Sequence, residues 1–233
     1  MLPSKNIFKH GDMGVIHELS RDYLHGLYFL TKAGKDTRKK FPTLSAAAKD
    51  KTLHMTDVFT VKGKKYTLGK VAVNATLPIS LRDYDSPFNS QKVNHILTEL
   101  GKNYKNDYAS VINSFKDMGN KWGHSRGTTL SLNDVVVKRT KRDKALLEAA
   151  KKSGTDKTKI TKYFLEAAKS LEDWTDLPDT NNFKEMIESG GHGNPSQIRQ
   201  ILYTPGLVQN VKGDIVPHPI TTGYAEGLDS FDY

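Results

Sequence analysis

Along most of this chain apolar residues recur at intervals of three and four, the spacing of one buried helix face, and a single stretch alternates as a strand does. Ser20 stands where it can cap a short helix in which Tyr23, Leu24, Leu27 and Tyr28 share a face, and its aromatics are assigned to the core. Asn89 to Leu100 predicts an amphipathic helix with Val93, Ile96, Leu97 and Leu100 inward and Gly101 as its stop. A second helix is predicted from about Asp107 to Met118, with Tyr108, Val111, Ile112, Phe115 and Met118 inward and Gly119 as its end. Lys138 to Asp173 reads as a helical hairpin. Ala145, Leu146, Ala149 and Ala150 stripe the first arm, Ser153-Gly154 breaks it, and Asp156 caps a second arm striped by Ile160, Phe164, Ala167 and Leu171.

The strand signal begins after Asp57. Val58 to Val61, a turn at Gly63 to Lys65 and a run from Tyr66 to Leu77 predict a β-hairpin that Pro78 ends. Ala33 to Leu53 is basic and mixed, with a short helical segment at Ser45 to Lys51, and reads as a variable surface connection. Leu177 to Asn182 reads as a linker, and Lys212-Gly213-Asp214 as a hairpin-like turn. The fold class is α+β, built of small mixed modules: a short hairpin or sheet with helices, a helical hairpin, and a glycine-rich loop with a short helix.

Composition narrows this picture. At 233 residues, with 36% hydrophobic content, several small modules fit better than one large globule. A formal charge of +9 favours contact with phosphates, or is simply a soluble basic surface. With no cysteine, disulfides, cysteine-ligated zinc and a cysteine nucleophile are excluded. No run of about 18 apolar residues occurs and the N-terminal stretch has no signal-peptide core, so a soluble protein with no membrane partner is expected. No metalloprotease, phosphate-loop or nucleophile-elbow motif is present, and the eight histidines lack ligand spacing. No catalytic residue is expected in this chain.

One stretch stands out. From Phe183 to Val208 an amphipathic run is interrupted by Ser189, Gly190, Gly191, His192 and Gly193, and resumes in a short polar helix bearing Gln197, Arg199 and Gln200. Glycine serves where a backbone takes positive φ or passes close to another chain or ligand. Pro195 suits the first turn of the new helix, whose free N–H groups suit an anion. Taken alone, the stretch is either a connection or a ligand cradle.

Its wording favours a function. S-G-G-H-G-N-P-S-Q-I-R-Q-I, followed by G-L-V, K-G-D-I-V, P-I and E-G-L, resembles the S-G-A-R-G-S-x-x-Q-I-R-Q-L … R-G-L … G-x-I … P-I … E-G-L run of the beta-prime subunit of multisubunit DNA-directed RNA polymerases. Further motifs follow in the same order. Asn6, Ile7, Asp22, Gly26, Leu27, Tyr28, Leu30 and Thr31 match the N-I-L-S-P-x-N-G-x-P and Q-D-x-x-L-G-L-Y-Y-L-T pattern. Thr67, Gly69, Lys70, Asn74, Leu77 and Pro78 match T-x-G-R-x-x-F-N-x-x-L-P. Trp122, Gly127, Leu130, Leu132 and Asp134 match L-G-F-x-Y-A-T-R-S-G-x-S-I-x-I-x-D. Departures are Lys5, His10 and His17, which do not follow the first pattern, Arg21 for the family's Gln, His124-Ser125-Arg126 for T-R-S, and His192 and Pro205 where the family has arginines.

The resemblance implies three parts: a pore-like domain over residues 1–112, a funnel-like domain with rim helices over 113–188, and the F-loop with the lead-in to the bridge helix over 189–233. It makes Ser189 to Gly193, Gln197, Arg199 and Gln200 supports of an active centre whose Mg2+ is ligated by another part of the assembled polymerase. Arg199 is expected to hold a carboxylate or carbonyl of the bridge-helix or trigger-loop side. Arg126, Lys138, Arg139, Lys141 and Arg142 are candidate phosphate or nucleic-acid contacts, or else solvated charges. Implied partners are a beta-like chain, the remaining beta-prime pieces, DNA template, RNA product and nucleoside triphosphates, in the cytoplasm of a cell or of a virus's host. Short connections suit a large-bacteriophage enzyme, and the chain reads as the middle of a beta-prime subunit, natural split piece or fragment. Glu226 to Tyr233 resembles the start of a long helix that ends early, so Leu228, Phe231 and Tyr233 are expected to need another polypeptide. The rival reading is a free-standing basic nucleic-acid-binding protein without catalysis.

Overall fold

The computed structural model describes residues 5–136 and 139–232, so Lys138 and Tyr233 lie outside the described residues. The chain divides into two compact units, one of Met1–Thr128 with Glu188–His192, the other of Thr129–Ile187 with Gly193–Tyr233.

The first unit is built on helix α1 (Arg21–Thr31), a three-stranded sheet, and helices α2 to α5. In α1, Leu24, Leu27, Tyr28 and Leu30 are buried as the spacing requires, whereas Tyr23 is 37% exposed and is not core. Ser20 occupies the position before the helix but makes no side-chain cap. Strand β1 (Asp36–Phe41) pairs in parallel with β2 (Val58–Val61), and the connection between them carries α2 (Leu44–Lys49). The basic stretch read as a surface connection therefore contains a strand. Its register is interrupted between Asp36 and Lys40, where Arg38 takes φ 58° and its N–H donates to the Asp36 carboxylate at 2.9 Å. That bulge and the strand's charged residues hid it from pattern reading.

β2 turns at Lys62-Gly63, both at positive φ, into antiparallel β3 (Lys64–Thr67). Here the predicted hairpin is corrected: its second strand stops at Thr67, and Leu68–Ala75 is helix α3. The Thr67 hydroxyl accepts the Lys70 N–H at 3.2 Å and starts the helix. The β-branched residues of V-A-V yield to burial of one helical face, Val73 and Asn74 being fully enclosed. Asn74 then clasps the following turn, donating to the Asp83 carbonyl at 2.9 Å and accepting the Asp83 N–H at 2.9 Å. Thr31 does the same at the end of α1, its hydroxyl donating to the Leu27 carbonyl and accepting the Phe88 N–H, each at 2.8 Å.

Helix α4 (Ser90–Asn103) is capped by Asn89 and buries Val93, Ile96, Leu97 and Leu100 as predicted. Gly101 does not stop it but lies inside it, against Ile7 and Phe8. Gly119 likewise does not end α5, which runs from Lys105 to Arg126 and stops at Gly127 with φ 58°. A β-carbon on Gly119 would stand 2.2 Å from the Tyr23 carbonyl oxygen, and one on Gly26 would stand 1.9 Å from the Gly119 oxygen. The two helices thus cross backbone to backbone, and the core of Leu24, Leu27, Leu97, Leu100 and Phe115 closes around the crossing.

In the second unit α6 (Arg139–Ser153) and α7 (Lys157–Ser170) form the predicted hairpin, with Asp156 accepting the N–H groups of Thr158 and Lys159. Leu146, Ala149, Phe164 and Ala167 are its shared core. A second core joins Leu171, Leu177, Phe183, Ile187, Ile198, Leu202 and Tyr203 from α8 (Asn182–Ser189), α9 (Pro195–Leu202) and their approaches. Leu177 to Asn182 is consequently no linker: Leu177 and Asn181 are buried, and the Asn181 amide donates to the Asp134 carbonyl at 2.9 Å. The Lys212 to Asp214 turn is present, with Gly213 at φ 87° and a bridge between Gln209 and Ile215. The described residues after Gly223 form turns rather than the start of a long helix, and Phe231 is 79% exposed.

Candidate functional site

The glycine-rich loop is held differently along its length. In the first unit Ser189 is fully buried and its hydroxyl accepts the Gly191 N–H at 3.1 Å. Gly190 has φ 73°, and a β-carbon there would fall 2.6 Å from that of Ser90. Gly191 lies on the first turn of α1, where a β-carbon would meet the Arg21 carbonyl oxygen at 2.7 Å. Any side chain larger than hydrogen at either position forces backbone or neighbour to move. His192 closes the segment with Nε2 2.8 Å from an Asp22 carboxylate oxygen, a pair whose aspartate is 81% exposed and so contributes little to stability. Beside these residues is a cleft of about 410 Å³ lined by Asp22, His25, His124 and Thr128 among others, in which His25 Nε2 is 2.8 Å from the Thr128 hydroxyl.

In the second unit Gly193 takes φ 74° and leads into a reciprocal cap. The Asn194 side chain accepts the Gln197 N–H at 2.9 Å, and the Gln197 side chain accepts the Asn194 N–H at 3.0 Å. Pro195 occupies the first turn of α9, as its fixed φ suits. Gln197 is therefore spent on building the helix start. Arg199 is engaged at the other end, donating to the carbonyls of Thr204 at 2.8 Å and Pro205 at 2.5 Å and lying 3.4 Å from a Glu172 carboxylate oxygen. Its guanidinium fixes the turn after α9 within this chain. Gln200 is half-buried, and its main-chain carbonyl accepts the Tyr224 N–H at 3.0 Å.

The basic cluster at the start of α6 is matched by carboxylates of its own unit. Arg139 lies 2.7 Å from Glu226, Lys141 lies 3.3 Å from Asp173, and Arg142, with a 7% exposed side chain, pairs with Glu226 and Asp143. Burial raises the carboxyl of Glu226, but hydrogen bonds from Arg142 and Gly223 outweigh it and hold the pKa below its ordinary value. In the first unit the Arg126 guanidinium stands 5.0 Å from the Phe29 ring centre. Sequence reasoning missed Glu226, Glu172 and Asp173 as partners, since charges far apart in sequence carry no spacing signal. Asp134 was seen only as a motif position. It accepts the N–H and hydroxyl of Ser131 at 2.8 and 2.9 Å and the N–H of Asn182 at 3.1 Å.

Among the described residues no group of three or more histidine, aspartate or glutamate side chains is placed to hold a metal ion. No described helix is long and apolar enough to cross a membrane.

Comparison with known proteins gives this geometry a family. Residues 136–227, which include the helical hairpin, α8, the glycines and α9, match the family described as RNA polymerase Rpb1, domain 4. The similarity extends over the whole chain in the DNA-directed RNA polymerase subunit beta' of Clavibacter michiganensis subsp. michiganensis, 29% identical over 286 residues and covering 100% of this chain and 22% of that one. The chain is a relative of the RNA polymerase beta-prime subunit. The beta-prime subunit of Thermobifida fusca is 28% identical, again over 100% of this chain and 22% of its own length. That of Salinispora tropica is 32% identical over 72% of this chain and 14% of its own. This beta-prime relative therefore spans about a fifth of the length of the subunits that it matches throughout. The aligned stretch of 286 positions exceeds the chain's 233 residues, so the Clavibacter subunit carries inserts that this chain lacks.

Proposed function

We propose that the chain works as a beta-prime segment of a DNA-directed RNA polymerase, lining the route of nucleotide entry and supporting the bridge helix and trigger loop during templated RNA synthesis. The observation that carries this reading is the coincidence of wording and constraint at the glycine loop. The residue that holds the first glycine of the family's S-G-A-R-G, Gly190, is one whose positive φ and close neighbour admit no β-carbon. A tolerant surface turn has no need of such packing. The reacting groups and magnesium belong to other parts of the assembly, and this chain's part is positional: it fixes where a neighbouring mobile element rests. Arg199 acts through the turn at Thr204 and Pro205, as a positioning residue. The partners would be the other polymerase subunits, DNA, RNA and nucleoside triphosphates.

The rival, a free-standing nucleic-acid-binding protein, draws no support from the basic cluster, because the carboxylates beside Arg139, Lys141 and Arg142 compete with phosphate for the same charges. The test is elongation by the assembled enzyme carrying Gly190→Ala, with assembly followed by gel filtration. Nucleotide addition at saturating substrate should slow by about tenfold, the effect of roughly 1.4 kcal/mol on a barrier, while template binding stays within twofold. An unchanged elongation rate in an intact assembly would sink the proposal.

A further inference from the structure

The first unit holds a second cleft that shares no lining residue with the one beside the glycine loop. It has a volume of about 610 Å³, within the range of small-molecule sites. One wall is the outer part of β3, the other the start of α3 with the turn at Tyr84-Asp85. Three lysines line it. Lys65 is neutralised by Asp36 at 2.9 Å. Lys64 is exposed, and no carboxylate lies within ion-pair distance of it among the described residues. Lys70 is only 7% exposed, and its ammonium donates to the main-chain carbonyl of Asp85 at 2.9 Å. A cation so enclosed, with a neutral acceptor in place of a carboxylate, is under-compensated. Burial first and the nearby Lys92 second depress its pKa, and the charges of Asp83 and Asp85 only partly offset them. Asp83 is itself committed to Lys92 at 2.7 Å.

Two aromatic rings stand beside these cations. Tyr66 and Tyr84 meet edge to face with centres 5.3 Å apart, both half-buried, and Tyr66 is backed by Phe59 at 6.4 Å. Set nearly at right angles, the two rings cannot both stack on one base, but a ring steadied by the edge of the other offers a single flat, low-entropy face.

We infer that this cleft binds a nucleotide, its phosphates bridging Lys64 and Lys70 and its base resting on the Tyr66–Tyr84 pair. Phosphate supplies the charge that Lys70 lacks, and its several oxygens can reach the exposed ammonium of Lys64 at the same time. The aromatic pair distinguishes a nucleotide from a bare polyphosphate. Asp85, an exposed lining residue, repels a second anionic group on the ligand. The inference does not rest on the polymerase reading, and its failure would leave that reading untouched.

The experiment is titration of the full chain with ATP bearing a fluorescent ribose label, read by anisotropy. The unaltered chain should bind saturably. Lys64→Glu and Tyr84→Ala, both at the open side of the cleft, should each weaken binding by about tenfold, the loss expected for one charge-assisted contact or one stacked base. Lys70→Met should weaken it further, with circular dichroism confirming that the chain is folded. Inorganic tripolyphosphate should compete about tenfold less well than ATP, because it leaves the rings uncovered. A 5′-triphosphorylated dinucleotide competes through the same residues in either case: tighter competition than ATP assigns the site to a strand end, weaker competition to free nucleotide. Absence of saturable binding, affinity unchanged in both Lys64→Glu and Tyr84→Ala, or tripolyphosphate competing as well as ATP would overturn the inference.

Discussion

The two helix pairs at the centres of the two units are built on opposite principles. In the first, α1 and α5 approach until the carbonyl of Tyr23 stands where a β-carbon of Gly119 would be. In the second, α6 and α7 keep the ordinary separation set by Leu146, Ala149, Phe164 and Ala167, and most of their polar length faces water. The first pair is covered by a large apolar core that includes Phe88, Leu97, Leu100 and Phe115. The second unit has two small cores, and polar clasps do more of its holding: Arg142 on Glu226, Arg199 on the turn after α9, and Asp134 on Ser131 and Asn182. A large core sets its tolerance by shape. Small cores joined by loops depend on satisfied charges and hydrogen bonds.

The greatest expected effect is at the helix crossing. Gly119→Val should destabilise the first unit by about 4 kcal/mol, at or beyond the usual range for overpacking because the obstacle is backbone rather than a side chain that can turn aside. Ala149→Gly in α6, which removes a methyl group and adds freedom, should cost about 1 kcal/mol plus a small packing loss. Chemical denaturation of both variants measures the contrast, and equal losses would remove the distinction between the two pairs.

Next comes Glu226→Ala, which takes from the enclosed guanidinium of Arg142 its buried partner and leaves it the exposed carboxylate of Asp143. Breaking one side of a buried pair costs about 3 kcal/mol. The loss should fall on the second unit alone, seen as faster hydrogen exchange in α6 with protection in α1 and α5 retained. A loss below the ~1 kcal/mol typical of an exposed pair would show that the clasp is a surface contact.

The smallest effect sharpens the same point through pH. Burial would raise the Asp134 carboxyl, but the hydrogen bonds from Ser131 and Asn182 outweigh it and its folded pKa lies below the ordinary value of 3.8. Such a group contributes stability that is fully present above its unfolded pKa and is lost as pH falls through the folded one. Asp134→Asn should therefore cost about 1 to 2 kcal/mol near neutrality, the worth of hydrogen bonds to a charged acceptor, and the gap from the unaltered chain should narrow as pH falls below about 4. A gap that stays constant from pH 7 to pH 3 would mean that the charge of Asp134 does not matter.

Much of this fold was legible because local rules decide it. Apolar spacing placed the buried faces of α1, α4, α5 and the helical hairpin, and Asp156, Asn89 and Pro195 mark helix starts by chemistry that acts within one turn. Glycine was read well where its own backbone angle is at stake, as at Gly190 and Gly193. It was misread at Gly101 and Gly119. A glycine after an amphipathic run signals a helix stop or a close neighbour equally, and only the neighbour decides. The strand at Asp36–Phe41 and the helix at Leu68–Ala75 were beyond the sequence for a related reason. One depends on pairing with β2 despite its charges, the other on burying Val73 and Asn74 despite strand-forming residues. The sequence alone determined most of the helical stripes, the Asp156 cap and the motif order that resembles beta-prime. Only the tertiary structure decided that Arg142 and Arg199 are engaged at home and that Lys64, Lys70, Tyr66 and Tyr84 line one cleft, because charge pairing and clefts join residues whose separation along the chain has no fixed relation to their distance in space.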